Sequence, residues 1–158
     1  MGFVEQANCV ERLIFGHSSA AAVWNALSDQ LTEEFEEAGG HSNLREMLEK
    51  YAAGEFVDFS DVEVNLSHLT EFQARVIAEL RKVGYGETLS YAELATRAGS
   101  PKAARAVGSV MSQNRIPLII PCHRVVGTSG HLGGFSAPRG IALKKELLEM
   151  EAQISAVV

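Results

Sequence analysis

The chain has 158 residues, 46% of them apolar, and a formal net charge of −6. That length suits one ordinary domain, or a small domain leaning on a slightly larger one, and no apolar run approaches the roughly eighteen residues of a membrane span. Two cysteines, Cys9 and Cys122, leave no disulfide framework and no CxxC pair, so we expect a reduced, cytoplasmic protein with no metal and no other cofactor.

The opening "MGFVEQANCVER" lacks the basic start and apolar stretch of a signal peptide, and it lacks a myristoylation serine or threonine. "FVEQANCVERLIFG" reads as two short strands joined at Ala7-Asn8. "SAAAVWNALSDQLTEEFEEA" has helical periodicity and ends near Gly39-Gly40. "SNLREMLEKYAAG" predicts a further helix, with Ser42 as N-cap and Gly54 just past its end. "EFVDFSDVEVNL" alternates apolar and polar residues, as an edge strand or an extended linker does.

Sharper punctuation follows. Thr70-Glu71-Phe72-Gln73 matches a capping box and opens "FQARVIAELRKV", whose Phe72, Val76, Leu80 and Val83 share one face. "GYGE" ends it. Ser90-Tyr91-Ala92-Glu93 is a second capping box, opening "YAELATRA". Gly99 stops that helix, and Ser100 and Pro101 are expected to cap and begin the next, "KAARAVGSVMS". Two short helices joined by a glycine turn form a helix-turn-helix pattern. A major-groove reader presents Asn, Gln and Arg to base edges. The exposed candidates here are Ala103, Ala104, Ala106 and Gly108, with Arg105 the one long side chain. Such a face suits close approach to a nucleic-acid backbone with little sequence preference, or plain packing against another helix.

Charge is divided unevenly. Met1 to Val64 carries thirteen acidic and three basic residues, whereas Arg97 to Lys145 carries eight basic residues and no acidic one. Screening limits a charge's reach to about 10 Å, so a local basic field can attract phosphates on an acidic protein.

Within that window lies "IIPCHRVVG". "IPLIIP" is flanked by prolines and predicts a short buried strand that Pro121 ends, leaving Cys122 and His123 in a turn. An ordinary cysteine has a pKa near 8.5 and is mostly thiol at neutral pH. A histidine in reach, directly or through one water, can take its proton during attack. Arg124 is expected to add positive field. A buried cysteine is also commonly an inert small hydrophobe, and the Cys-His pair alone does not decide between the two.

"IIPCHRVVG", preceded by "PKAARAVGSVMSQNRIPL" and followed by "GGFSAPRGIALKKELLEME", closely resembles the 6-O-alkylguanine-DNA alkyltransferases, from about Thr70 to Glu151. The resemblance implies an α/β (α+β) protein, with a small N-terminal sheet-plus-helix domain over 1–66. A mostly helical, winged-helix-like domain bearing the helix-turn-helix would cover 67–158. It implies direct reversal of alkylated guanine, with Cys122 as the alkyl acceptor. His123 would be its base through a bound water, Glu151 the residue that orients His123, and Asn114 the residue that fixes the turn. Arg105 would enter the base stack as the lesion flips out, Tyr91 would crowd the 3′ phosphate, and Lys102 and Ala104 would lie against DNA. Met111, Pro117 and Ser136 would line the guanine pocket, with the Val125 carbonyl accepting the exocyclic amine. The implied partner is double-stranded DNA, bound without sequence preference by a monomer, with no membrane. Two other readings compete. Lesion sensors of this kind lack the acceptor cysteine, so Cys122 counts against a sensor. A Cys-His thiol hydrolase is disfavoured by the acid-free window and the helix-turn-helix.

Overall fold

The computed structural model describes residues 1–29 and 43–155. Strands β1 (Gly2–Gln6) and β2 (Cys9–Ile14) pair antiparallel through Ala7 and Asn8, whose φ values of 50° and 65° make the left-handed two-residue turn that matches strand twist. A bulge between Val4 and Glu5 lets β2 bend. Helix α1 (Ala20–Ser28) is capped by the Ser19 hydroxyl, and α2 (Asn43–Ala52) ends at Gly54. The rest of the predicted first helix and the Ser42 cap lie outside the described residues. "EFVDFSDVEVNL" is a linker with one strand-like contact: the Val10 N–H donates to Glu63 O at 2.9 Å, and the Asn65 N–H donates to Val10 O at 3.0 Å.

Both predicted capping boxes form. Thr70 and Gln73 open α3 (Glu71–Leu80), and Ser90 and Glu93 open α4 (Tyr91–Arg97). Gly99, at φ +75°, ends α4 in a conformation that side chains with a Cβ resist. The next helix differs from expectation. Ser100 and Pro101 neither cap nor begin it, because Ser100 O instead accepts the Ala103 N–H in a turn, and α5 (Ala104–Ser112) starts without a side-chain cap. The Ser-Pro pair was available to the turn as readily as to the helix.

The predicted strand "IPLIIP" is also absent. Ile116 to Ile120 form a buried turn with a Pro117–Ile120 bridge and Leu118 at φ +72°. Asn114 closes this turn from inside, its Nδ2 donating to Ile120 O at 2.8 Å and its Oδ1 accepting from Ile116 N–H at 3.0 Å. A non-glycine residue at positive φ costs about 1–3 kcal/mol and persists when its surroundings over-determine it. The chain then makes one 3-10 turn over Cys122–Arg124, a short strand β4 (Val125–Val126), and the long closing helix α6 (Gly140–Ser155).

Two pairings hold the reactive turn in place. Strand β3 (Leu89–Ser90) pairs parallel with β4, so the cap of α4 is registered directly beside the residues after His123. The Leu13 N–H of β2 donates to Arg115 O at 2.9 Å, which docks the N-terminal sheet next to Asn114. One buried cluster runs from Val10, Leu13 and Tyr51 through Val76, Leu94, Val107 and Ile116 to Leu147. No described helix is long and apolar enough to cross a membrane.

Candidate active site

Helix α6 puts Leu143, Lys144, Leu147 and Glu151 toward the core, so two of its four inward positions are charged. Glu151 is fully buried, and a buried carboxylate survives only if its oxygens are satisfied. They are. Oε1 accepts from Tyr51 Oη at 2.8 Å, His123 Nε2–H at 2.9 Å and Arg124 Nη2 at 2.9 Å. Oε2 accepts from Arg124 Nε at 2.9 Å and the Gly86 N–H at 3.1 Å. Arg124 completes its own shell with Val83 O at 2.7 Å and lies over the Tyr85 ring. Burial alone would raise the carboxyl, but the His123 and Arg124 hydrogen bonds and charges hold Glu151 far below the ordinary carboxylate range.

An ionised Glu151 fixes the histidine tautomer. Nε2 carries the proton and donates to the carboxylate, so Nδ1 keeps its lone pair. His123 is completely buried, and its Nδ1 has no hydrogen-bond partner among the described residues. Desolvation pulls its pKa below 6.5 against the pull of Glu151, so the ring is neutral and basic at Nδ1 at neutral pH.

Cys122 is 7% exposed. Burial pushes its thiol up, opposed by a hydrogen bond from the Asn114 side chain, the Lys144 charge and local backbone hydrogen bonds. The resting group is a thiol, and the next residue in the chain is a neutral base. The cation that assists it is not the one expected. Arg124 is committed to Glu151, whereas Lys144, wholly buried, supplies the field at Cys122. Lys144 Nζ donates to Val125 O at 2.6 Å and to Leu132 O, and lies 6.0 Å from the Tyr91 ring centre. Sequence reading missed this role of Lys144; its signal was a lysine three and seven residues before Leu147 and Glu151 on one helix face.

Beside Cys122 opens a cavity of about 690 Å³, whose walls include Tyr91, Met111, Asn114, Pro117 and Ser136. Three of the four expected pocket residues thus meet Cys122 in one space. Val125 is fully buried and outside the wall, its carbonyl accepting from Lys144. Tyr91 forms the wall toward α4, and its ring is gripped between α5 and the glycine-rich loop. A Cβ built on Gly133 would fall 2.7 Å from the Tyr91 hydroxyl, and one on Gly108 4.0 Å from its ring, so this wall requires glycine at position 133. On the outer side, Arg105 and Lys102 are exposed and Ala104 half-buried. The eight basic residues of the acid-free window do not share one surface, because Arg124 and Lys144 are buried while Arg139 and Lys145 pair with Glu146 and Glu149.

Acid should destabilise this arrangement. His123 and Glu151 both hold folded pKa values below their ordinary 6.5 and 4.5, so the unfolded chain binds protons that the folded one refuses. Their stabilisation is complete above pH 6.5 and is lost as pH falls, first through His123 and then, below about 4.5, through Glu151. Urea midpoints should drop between pH 7.5 and 5 and more steeply below; a flat profile would contradict the buried neutral histidine.

Comparison with known proteins gives the family and the fold. Residues 71–153 match the family described as 6-O-methylguanine DNA methyltransferase, DNA binding domain. The chain is 48% identical over 113 residues to a methylated-DNA–protein-cysteine methyltransferase of Mycobacterium bovis, an overlap of 72% of this chain and 66% of the relative, just under two thirds of its length. The crystal structure of Mycobacterium tuberculosis OGT in complex with DNA has a TM-score of 0.79 and 37% identity, covering 96% of this chain and 86% of that one. The O6-methylguanine-DNA methyltransferase of Pyrococcus kodakaraensis gives 0.71 and 28%, covering 92% and 88%. With a family match over more than half its length and that fold throughout, the chain belongs to the 6-O-methylguanine DNA methyltransferase family.

Proposed function

We propose that this chain repairs DNA by moving the alkyl group of 6-O-alkylguanine, methyl above all, onto its own Cys122, once per molecule. The observation that carries the reading is a buried thiol at the wall of a cavity, followed in the chain by a neutral histidine whose tautomer a buried carboxylate fixes. The Cys122 proton passes to His123 Nδ1 through a bound water, and Sγ attacks the alkyl carbon. The carbon–oxygen bond breaks, its electron pair stays on the guanine oxygen, and protonation restores guanine. Glu151 stabilises the imidazolium without taking the proton. Asn114 holds the turn that aims the thiol, and Lys144 lowers the cost of forming thiolate. The product thioether has no leaving group that cellular thiols displace easily, so the protein does not turn over.

The lesion must leave the duplex before sulfur reaches it. In this reading α4 and α5 lie against the minor groove of double-stranded DNA, with Ala104 and Lys102 at the backbone. Arg105 fills the space of the flipped base, and Tyr91 presses on the 3′ phosphate. Met111, Pro117 and Ser136 enclose the guanine. Residues 1–66 and 67–158 are the two structural parts, and the protein acts as a monomer in a reduced, cytoplasmic setting.

The test is a duplex carrying radiolabelled methyl on guanine oxygen. One equivalent of label should move to the peptide containing Cys122 and stop there; tight binding without transfer, or repeated turnover of an ester, would overturn the reading. Arg105→Ala should slow repair of the duplex about 100-fold or more while leaving attack on free benzylated guanine within about threefold, because only the duplex requires extrusion. Equal slowing on both would remove Arg105 from that role.

A further inference from the structure

We propose that Tyr51, on helix α2 of the N-terminal part, is a positioning residue for alkyl transfer: its hydroxyl shares Glu151 Oε1 with His123 and so sets how strongly the carboxylate holds the imidazole. The proposal rests on the transfer reading above and gives the acidic N-terminal part a task in the chemistry.

The geometry is specific. Tyr51 is 2% exposed, lies one hundred residues before Glu151 in the chain, and donates to Oε1 at 2.8 Å, slightly closer than His123 Nε2 at 2.9 Å. Its ring is fixed edge-on to Tyr85 at 6.0 Å and tilted against Phe59 at 5.7 Å, so the hydroxyl has little freedom to leave. A carboxylate offers about four lone-pair sites, and Glu151 already accepts five hydrogen bonds. Three of these crowd Oε1, so its donors compete. Desolvation and the Glu151 charge both raise the Tyr51 hydroxyl, which therefore stays a donor across the working pH range.

Every charged or titratable neighbour of this cluster enters the balance. Tyr51 approaches from α2, and Cys122 and Arg124 come from the reactive turn. Tyr85 and the Gly86 N–H come from the loop after α3, and Lys144 acts from α6. Of these, Tyr51 is the one hydrogen-bonding side chain on Oε1 that the N-terminal part contributes. Without its hydroxyl, Oε1 binds the His123 Nε2–H more strongly. That favours imidazolium and makes Nδ1 a base that is spent at higher pH.

The variant is Tyr51→Phe, which keeps the ring. Two readouts follow it in the full chain. In a Cys122→Ala background, the His123 ring nitrogens are titrated by ¹⁵N NMR, and with Cys122 present the pH profile of single-turnover methyl transfer is measured. Both midpoints should move up together by about half a unit, roughly threefold in neutral fraction below the midpoint. Free benzylated guanine and duplex should slow alike, with DNA affinity unchanged. Phe59→Leu, which loosens the ring packing without touching the hydroxyl, should lower the melting temperature and leave both midpoints in place. Unmoved midpoints in Tyr51→Phe, or equal shifts in Phe59→Leu, overturn the proposal. Failure of the unsubstituted protein to transfer label would instead count against the transfer reading, and the His123 titration would still test Tyr51.

Discussion

In the reaction proposed here, Cys122→Ala should abolish label transfer completely while leaving the protein folded and able to bind the damaged duplex. The thiol is the one sulfur nucleophile lining the described cavity. Cys9, the other cysteine, lies half-buried on β2 and is not among the lining residues, so no second acceptor takes over. Removing the sulfur takes one heavy atom from a nearly closed site and costs about 1 kcal/mol or less. It leaves the Asn114 amide still bonded to Ile120 O and the Ile116 N–H, so the turn keeps its shape. Intact-protein mass spectrometry after incubation with lesion duplex, beside a gel-shift measurement, separates loss of chemistry from loss of binding. Transfer surviving in Cys122→Ala, or a fold lost with it, would contradict the assignment.

Glu151→Gln should have the second large effect, striking stability and the proposed chemistry together. The substitution keeps the shape but removes the counter-ion of Arg124, a guanidinium buried against Val83 O and the Tyr85 ring. Breaking one partner of a buried pair costs about 3–5 kcal/mol because the other charge is stranded. The amide also turns a donor toward groups that are themselves donors: Tyr51, His123 and Arg124 if it takes the place of Oε1, or Arg124 and the Gly86 N–H if it takes the place of Oε2. His123 then loses both its tautomer lock and the charge that stabilises its protonated form, for which a loss of about 100-fold in transfer rate is expected. Urea unfolding at pH 7 and single-turnover transfer at the same pH measure the two effects. Near-normal stability would mean that Arg124 finds other compensation.

Much of this was legible before any coordinates. The Ala7-Asn8 hairpin, both capping boxes and the stop at Gly99 follow from local rules, since each depends on residues within four positions of one another. The turn at Cys122 was expected from a strand that Pro121 would end; the turn is present, but the strand is not. Three features were not legible. "IPLIIP" has strand composition, but an amide two residues upstream, at Asn114, closes it into a turn. Pro117 cannot donate to a ladder in any case. Ser100 and Pro101 satisfy a helix start and a turn equally well, and here the Ala103 N–H goes to Ser100 O to make the turn. Arg124 and Lys144 look interchangeable as cations near Cys122. Only the approach of α6 shows that one neutralises Glu151 and the other faces the thiol. Glu151 was found through family resemblance, since a lone glutamate in "LLEME" carries no local mark of burial.

The protonated resting state of Cys122 bears on how long such a molecule lasts. A protein spent by a single chemical event, as proposed for this chain, is exposed to every stray electrophile that reaches its sulfur, and each accidental capture would be a lost repair. Desolvation that keeps the sulfur as thiol makes it a poor partner for soft oxidants and small alkylators in the absence of DNA. In the proposed reaction the thiol gives up its proton only when a flipped guanine in the cavity presents the target carbon, and His123, held by Glu151, receives that proton. The same burial that makes the attack harder to start preserves the inventory of unreacted protein.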